Sequence, residues 1–131
     1  MADTKTTRAL ARGVRLAPRK VSLVASLVRG RTVADALVIL EHTPKRAALP
    51  VVKAIKSAAA NATNTHGIDG KSLIIDELTV TAGPRLKRFK PAAHGRALPF
   101  MKRTSHITVV VRGDVKPKKV AAKPVAAKEA K

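Results

Sequence analysis

The sequence predicts an α+β domain with a long protruding β-hairpin and a disordered C-terminal tail. Three observations lead there. Between residues 14 and 66, three successive runs place apolar side chains at helical spacing, with capping or stop residues at their ends. Two later runs, Leu73–Thr81 and His106–Val111, are rich in β-branched residues and read as strands. Between these strands lies Gly83–Ser105, with seven Lys/Arg, no Asp or Glu, both aromatic residues and three prolines. It has no apolar face long enough to build a core. A polar, basic excursion joining two paired strands is a hairpin arm, and its chemistry suits a nucleic-acid neighbour.

The chain's 131 residues fit one domain with a modest core, over residues 1–113, followed by a basic tail, 114–131. Val and Ala supply most of the 45% apolar content, so the core is expected to be small and to lean on a partner for full stability. The net charge of +19 repels itself in isolation and binds polyanions, either nucleic acid or an acidic membrane surface. Residues 1–31 carry eight Lys/Arg against one acid, residues 32–77 five against five, and residues 78–113 eight against none. A neutral middle between basic flanks describes a packed body with charged surfaces attached.

The composition also excludes much. There is no cysteine, hence no disulfide or thiolate metal site. His42, His66, His94 and His106 are far apart without acidic partners in ligand register, so neither metal nor cofactor is expected. The N-terminus lacks a secretory core and no apolar run approaches ~18 residues, so no membrane span is expected. Cytoplasm is the expected compartment.

In chain order, Asp3–Arg12 alternates loosely as a strand, with Thr4, Thr6, Arg8 and Leu10 on one side. Pro18 suits the first turn of a helix over Val21–Arg29. Val21, Val24, Ala25 and Val28 form its inner stripe, Leu23 and Leu27 lie beside them, and Gly30 stops it. Arg15, Arg19 and Lys20 gather at its start, against the helix dipole, which suggests an anionic ligand that offsets the cost. Thr32 and Asp35 read as an acidic capping box for a second helix, buried through Ala36, Leu37, Ile39 and Leu40 and ending near His42. Thr43-Pro44 predicts the start of a third helix reaching His66, with Ala48, Val51, Val52, Ile55, Ala59 and Ala62 inside and Lys45, Lys53 and Lys56 outside. Pro50 would then lie in its interior and kink it, at a cost of about 3 kcal/mol. The small residues Ser57–Ala62 allow another backbone to approach closely. Gly67 and Asp69-Gly70 end the helix and turn the chain into the strands. Ile74, Leu78 and Val80 are expected on one face of the first strand, and Ile107, Val109 and Val111 inward on the second. The tail from Asp114 has no period and is expected to be disordered.

A tight turn at His94-Gly95 sets a hairpin register in which Val80 faces Val109, Leu78 faces Val111, Phe89 faces Phe100 and Lys87 faces Lys102. Each strand of the arm would reach roughly 30 Å. Opposed cations would destabilise the ribbon, so its order is expected to depend on a surrounding polyanion. Phe89 and Phe100 serve either as a cross-strand pair or as stacking surfaces for unpaired bases.

Five stretches carry a family resemblance. They are Arg103–Val111, Gly83-Pro84 with Leu86-Lys87-Arg88, Gly95-Arg96-Ala97, Ser57–Ala62 and Pro18-Arg19-Lys20. Together, in one collinear order over roughly Thr4–Arg112, they resemble the bacterial large-subunit ribosomal protein twenty-two family. The resemblance implies a small three-stranded antiparallel sheet with three helices and a long hairpin. It implies a structural, non-enzymatic constituent of the large ribosomal subunit. Its body would sit near the outer opening of the polypeptide exit tunnel, and its hairpin would line the tunnel wall. The implied partners are large-subunit rRNA, neighbouring ribosomal proteins and the nascent polypeptide, with no membrane and no homo-oligomer. The candidate RNA-binding residues are Arg12, Arg15, Arg19, Lys20, Arg85, Lys87, Arg88, Lys90, Arg96, Lys102, Arg103 and His106. The tunnel-facing tip would be Lys90, Pro91, Ala92, Ala93, His94, Gly95 and Arg96. Three departures from the family pattern stand out: Ala92 where Arg is usual, Leu98-Pro99 where a polar, basic pair is common, and Pro50 in the body. The competing reading is a β-arm architectural protein that bends DNA, which would present two arms from a tight dimer. An enzyme is a third class, disfavoured because no base and nucleophile are paired.

Overall fold

The structure, a computed structural model, describes residues 4–114. Among them are three strands, three α-helices and one short 3-10 turn, in the order β1 (Thr4–Val14), α1 (Pro18–Val28), α2 (Val33–Glu41), α3 (Ala48–His66), β2 (Ile74–Pro91), the turn Ala93–Gly95 and β3 (Ala97–Asp114). The expected α+β architecture is present. The sheet is antiparallel with β3 in the centre, in the order β1-β3-β2. The tail beyond Asp114 lies outside the described residues.

β1 is longer than expected, and Thr6, Arg8 and Leu10 do share an exposed side, while Thr7 and Ala9 face the core. On the same inner face lie Ile107, Val109 and Val111 of β3, all fully buried as predicted, with Ile75 and Leu78 of β2. The helices cover that face. The core they close is aliphatic throughout, Leu, Ile, Val and Ala, and both phenylalanines lie outside it, Phe89 at 75% and Phe100 at 40% exposure.

α1 buries Val21, Val24, Ala25 and Val28, the predicted stripe, and Pro18 occupies its first turn. Thr32 caps α2 as expected: its Oγ1 accepts from the Asp35 N–H at 3.2 Å and donates to the Asp35 carboxylate at 2.7 Å. Residues 30–33 also cover the start of the β2 edge. Gly30 N–H donates to Ile75 C=O at 3.0 Å, Ile75 N–H to Arg31 C=O at 2.9 Å, and Val33 N–H to Leu73 C=O at 2.9 Å. A sheet edge that would otherwise stay unpaired is thereby satisfied.

Two expectations about α3 fail together. The helix starts at Ala48 rather than Pro44, because residues 43–47 form a turn. Pro50 therefore falls in the first turn, where a missing N–H leaves no hydrogen bond unmade, and no kink is required. The inner stripe also rotates slightly. Ala54 and Ala58 are buried, while Val52 and Ala59 lie at its margin. The small residues do admit a neighbouring backbone, since Asn61 Nδ2 donates to Arg8 C=O of β1 at 3.4 Å. Gly67, at φ 63°, ends α3 with its N–H on Thr63 C=O and the Ile68 N–H on Ala62 C=O, both at 3.2 Å.

The hairpin register differs from the expected one. Leu78 faces Val109, Val80 faces Ile107, Lys87 faces Met101 and Phe89 faces Pro99. The first cause is the tip. It is a five-residue loop centred on His94, closed by Ala92 N–H to Arg96 C=O at 2.8 Å, with His94 (φ 58°) and Gly95 (φ 68°) both left-handed. Two irregularities on β2, between Ala82 and Arg85 and between Ile75 and Glu77, then each insert one extra residue. The bulge at Asp76 also breaks the side-chain alternation. Leu78 and Val80 do share the inner face, opposite the buried Val109 and Ile107, but Ile74 faces away from it, opposite Arg112, and Ile75 is buried in its place.

Candidate nucleic-acid interface

The arm exists because the sheet narrows. β1 ends with Val14 opposite Ser105, while β2 and β3 run on as a pair from Arg85–Arg103 to Pro91–Ala97. From Lys87 to Arg103 every residue is exposed except the half-buried Ala92.

Alternation and register assign the arm's side chains to its two faces. Arg85, Lys87, Phe89, Pro99, Met101 and Arg103 share one face; Leu86, Arg88, Lys90, Leu98, Phe100 and Lys102 share the other. Each face thus carries three cations and no acid. The two phenylalanines project from opposite faces, so the expected cross-strand aromatic pair does not form, because the register is one residue away from the one that would bring them together. Phe100 instead lies under Lys90, whose Nζ is 5.5 Å from the ring centroid, within cation–π reach.

The true register also removes most of the expected repulsion. Lys87, Arg88, Lys90 and Lys102 face Met101, Phe100, Leu98 and Leu86, and only Arg85 and Arg103 are directly opposed. Each long cationic side chain can lay its methylenes along an apolar partner and keep its charge in solvent. Repulsion is concentrated at the root of the arm.

The root is held by three contacts. Thr104 Oγ1 donates to Pro84 C=O at 2.7 Å. Gly83 lies so close that a Cβ there would come within 2.5 Å of Thr104 Oγ1 and 3.2 Å of the Thr104 carbonyl carbon. His106 accepts the Gly13 N–H on Nδ1 at 3.0 Å, across the irregular end of β1. His106, a candidate RNA contact, is thus half-buried with one ring nitrogen committed to the backbone. This geometry leaves the proton on Nε2 as the donor available to a neighbour.

The other candidates, Arg12, Arg15, Arg19, Lys20, Arg85, Lys87, Arg88, Lys90, Arg96, Lys102 and Arg103, are all exposed. Among the described residues the ion pair between Arg112 and Asp76, at 3.5 Å, involves none of them. The structure gathers Arg15 and Lys20 with Lys102 and Arg103 around one groove of about 740 Å³. Arg12, Arg19 and the cations towards the tip lie outside its lining. Two further cations, Lys45 and Arg46 of the turn before α3, join that rim. The sequence reading missed them as rim residues because it placed them inside a helix. Arg29 and Arg31 serve the body instead: Arg29 Nε donates to Leu78 C=O at 2.9 Å and Arg31 Nε to Leu27 C=O at 3.0 Å.

Among the described residues no group of His, Asp and Glu could hold a metal ion, and no helix is long and apolar enough to cross a membrane. A small body that extends a cationic two-faced ribbon has the charge pattern of a protein that binds a polyanion. The sequence matches the family described as Ribosomal protein L22p/L17e over residues 9–112, and the chain belongs to that family. It is 54% identical over 105 residues to the large ribosomal subunit protein uL22 of Clostridium novyi (strain NT), an alignment covering 80% of this chain and 95% of that relative. The expected family is therefore the observed one.

Proposed function

We propose that this protein is a structural constituent of the large subunit of the cytoplasmic ribosome, that it binds large-subunit rRNA, and that it has no chemistry of its own. The observation that carries the reading is the arm's even division of charge, three cations on each face with no acid on either. A ribbon made to lie on a single RNA surface needs cations on one face only. Cations on both faces suit an arm threaded between converging RNA segments, each neutralised from its own side. The family membership and the relative's name support the large subunit as the setting. In that setting the body sits near the exit of the polypeptide tunnel and the arm lines its wall. The tip from Lys90 to Arg96 then approaches the nascent polypeptide, and neighbouring ribosomal proteins flank the body.

Co-sedimentation tests this. The full chain is expected to travel with large subunits through a high-salt wash and to prefer large-subunit rRNA over duplex DNA. Release by the wash, or equal affinity for duplex DNA, would refute the assignment.

A further inference from the structure

The groove between α1, the turn before α3 and the root of the arm is lined by an apolar patch as well as by cations. Leu23, Leu27 and Met101 line it at 72%, 47% and 53% exposure. The opposite side of α1, through Val21, Ala25 and Val28, already supplies the core. Large apolar side chains left outside the core and gathered in one concavity are a mark of a binding site. Around them stand cations on three walls: Arg15 and Lys20, Lys45 and Arg46, Lys102 and Arg103. No acid lines the groove, and its volume of about 740 Å³ lies within the range of ligand clefts.

We propose that this groove receives one unpaired nucleotide of RNA, with its base against the exposed Leu23–Leu27–Met101 patch and its flanking phosphates on the surrounding cations. The occupant must offer a flat apolar face and negative charge on more than one side, and an unstacked nucleotide in a continuous strand does both. The chain's own tail is the wrong partner, because residues 115–131 carry six Lys against one Glu and would meet a rim of like charge. A second copy, at net +19, meets the same objection. Lys102 and Arg103 belong both to the rim and to the arm, so a strand leaving the groove passes directly onto the arm's cations. The inference rests on the rRNA-binding reading and adds a base-recognition site to it.

The double variant Leu23→Ala/Leu27→Ala tests it, since both side chains lie outside the core and Ala suits a helix. Its affinity for a full-length large-subunit rRNA transcript is expected to fall about tenfold, from the apolar area no longer buried, with the dependence on salt unchanged, because an apolar patch releases no counterions. Lys87→Ala/Arg88→Ala is the reference and should flatten the salt dependence. Unchanged affinity in the groove variant, with the arm variant still weakened, would overturn the groove and leave rRNA binding standing. No preference of the unaltered chain for rRNA over duplex DNA would remove the RNA reading itself. A benzophenone amino acid in place of Leu23 gives a second readout in assembled large subunits. A crosslink to a single unpaired rRNA nucleotide is expected; a crosslink to a neighbouring protein, or none, would overturn the proposal.

Discussion

Thr104 Oγ1 donates to the Pro84 carbonyl at 2.7 Å across the root of the arm, from a side chain only 4% exposed. The contact falls where the paired strands pass from the three-stranded body to the two-stranded arm, and where β2 carries its extra residue. Pro84 falls inside that bulge, outside the regular pairing, so its carbonyl is joined to the opposite strand by a side chain instead. Thr104→Val keeps the shape and removes the donor. The expected loss is about 1 kcal/mol, the net contribution of one hydrogen bond, since Pro84 itself is exposed and its carbonyl can turn to water. A lower urea midpoint with an unchanged slope checks it, and earlier hydrogen exchange in Arg85–Lys90 than in Ile107–Val111 would place the loosening in the arm.

Gly83 answers a separate constraint at the same root. Its φ is ordinary, so conformational freedom does not explain it; the reason is the approach of the Thr104 backbone, 3.2 Å from where a Cβ would stand. Backbone atoms cannot swing away as a flexible side chain can. Gly83→Ala is therefore expected to cost about 1–3 kcal/mol by overpacking and to re-aim the arm. Melting would report the first effect. The second would appear as weakened rRNA binding even at temperatures where the variant is fully folded.

The body was largely legible in the sequence because its determinants are local. Pro18, the Thr32–Asp35 pair and Gly67 each fix a helix end within a few residues, and the inward stripe of α1 follows directly from spacing. Pro44 shows the limit of such rules. It matches a helix start, but the chain turns at 43–47, through Lys45 N–H to Thr43 C=O and Ala48 N–H to Lys45 C=O, and the helix begins only where Ala47 and Ala48 reach the core. The arm's existence was equally legible from its charge and prolines. Its register was not, because register sums every insertion along the strand, and the bulges at Asp76 and Gly83-Pro84 leave no hydrophobic signature of their own. Within the arm the one-residue difference comes from the tip, where a five-residue loop centred on His94 replaces a two-residue turn at His94-Gly95; it separated Phe89 from Phe100 and spared Lys87 from Lys102. The groove was hidden for a third reason, since its walls come from segments that meet only after folding.

The two-faced arm predicts a strong and distributable salt dependence. About eight phosphate contacts give a slope of log affinity against log salt near −6. Replacing the three cations of one face, Arg85, Lys87 and Arg103, by Ala should reduce the slope by about 2. The matching triple on the other face, Arg88, Lys90 and Lys102, should do the same. Titration of the rRNA transcript at several salt concentrations measures both. A loss confined to one triple would mean that the arm lies on a single RNA surface, contrary to the threading proposed for it.

Ala92 tests how the tip makes its grip. It is extended (φ −130°, ψ 172°) and its N–H closes the loop onto Arg96 C=O, so a longer side chain is compatible with the backbone already present. Between Lys90 and Arg96 there is no other cation, and the family resemblance places an Arg at this position. Ala92→Arg should therefore tighten binding to large-subunit rRNA and steepen the salt slope by about 0.7, the value for one further phosphate contact to a single strand. Tighter binding without a steeper slope would instead mean that the guanidinium stacks on a base. If neither affinity nor slope moves, the tip is held by its shape, the His94–Gly95 turn with its left-handed backbone, and Ala92 faces no phosphate.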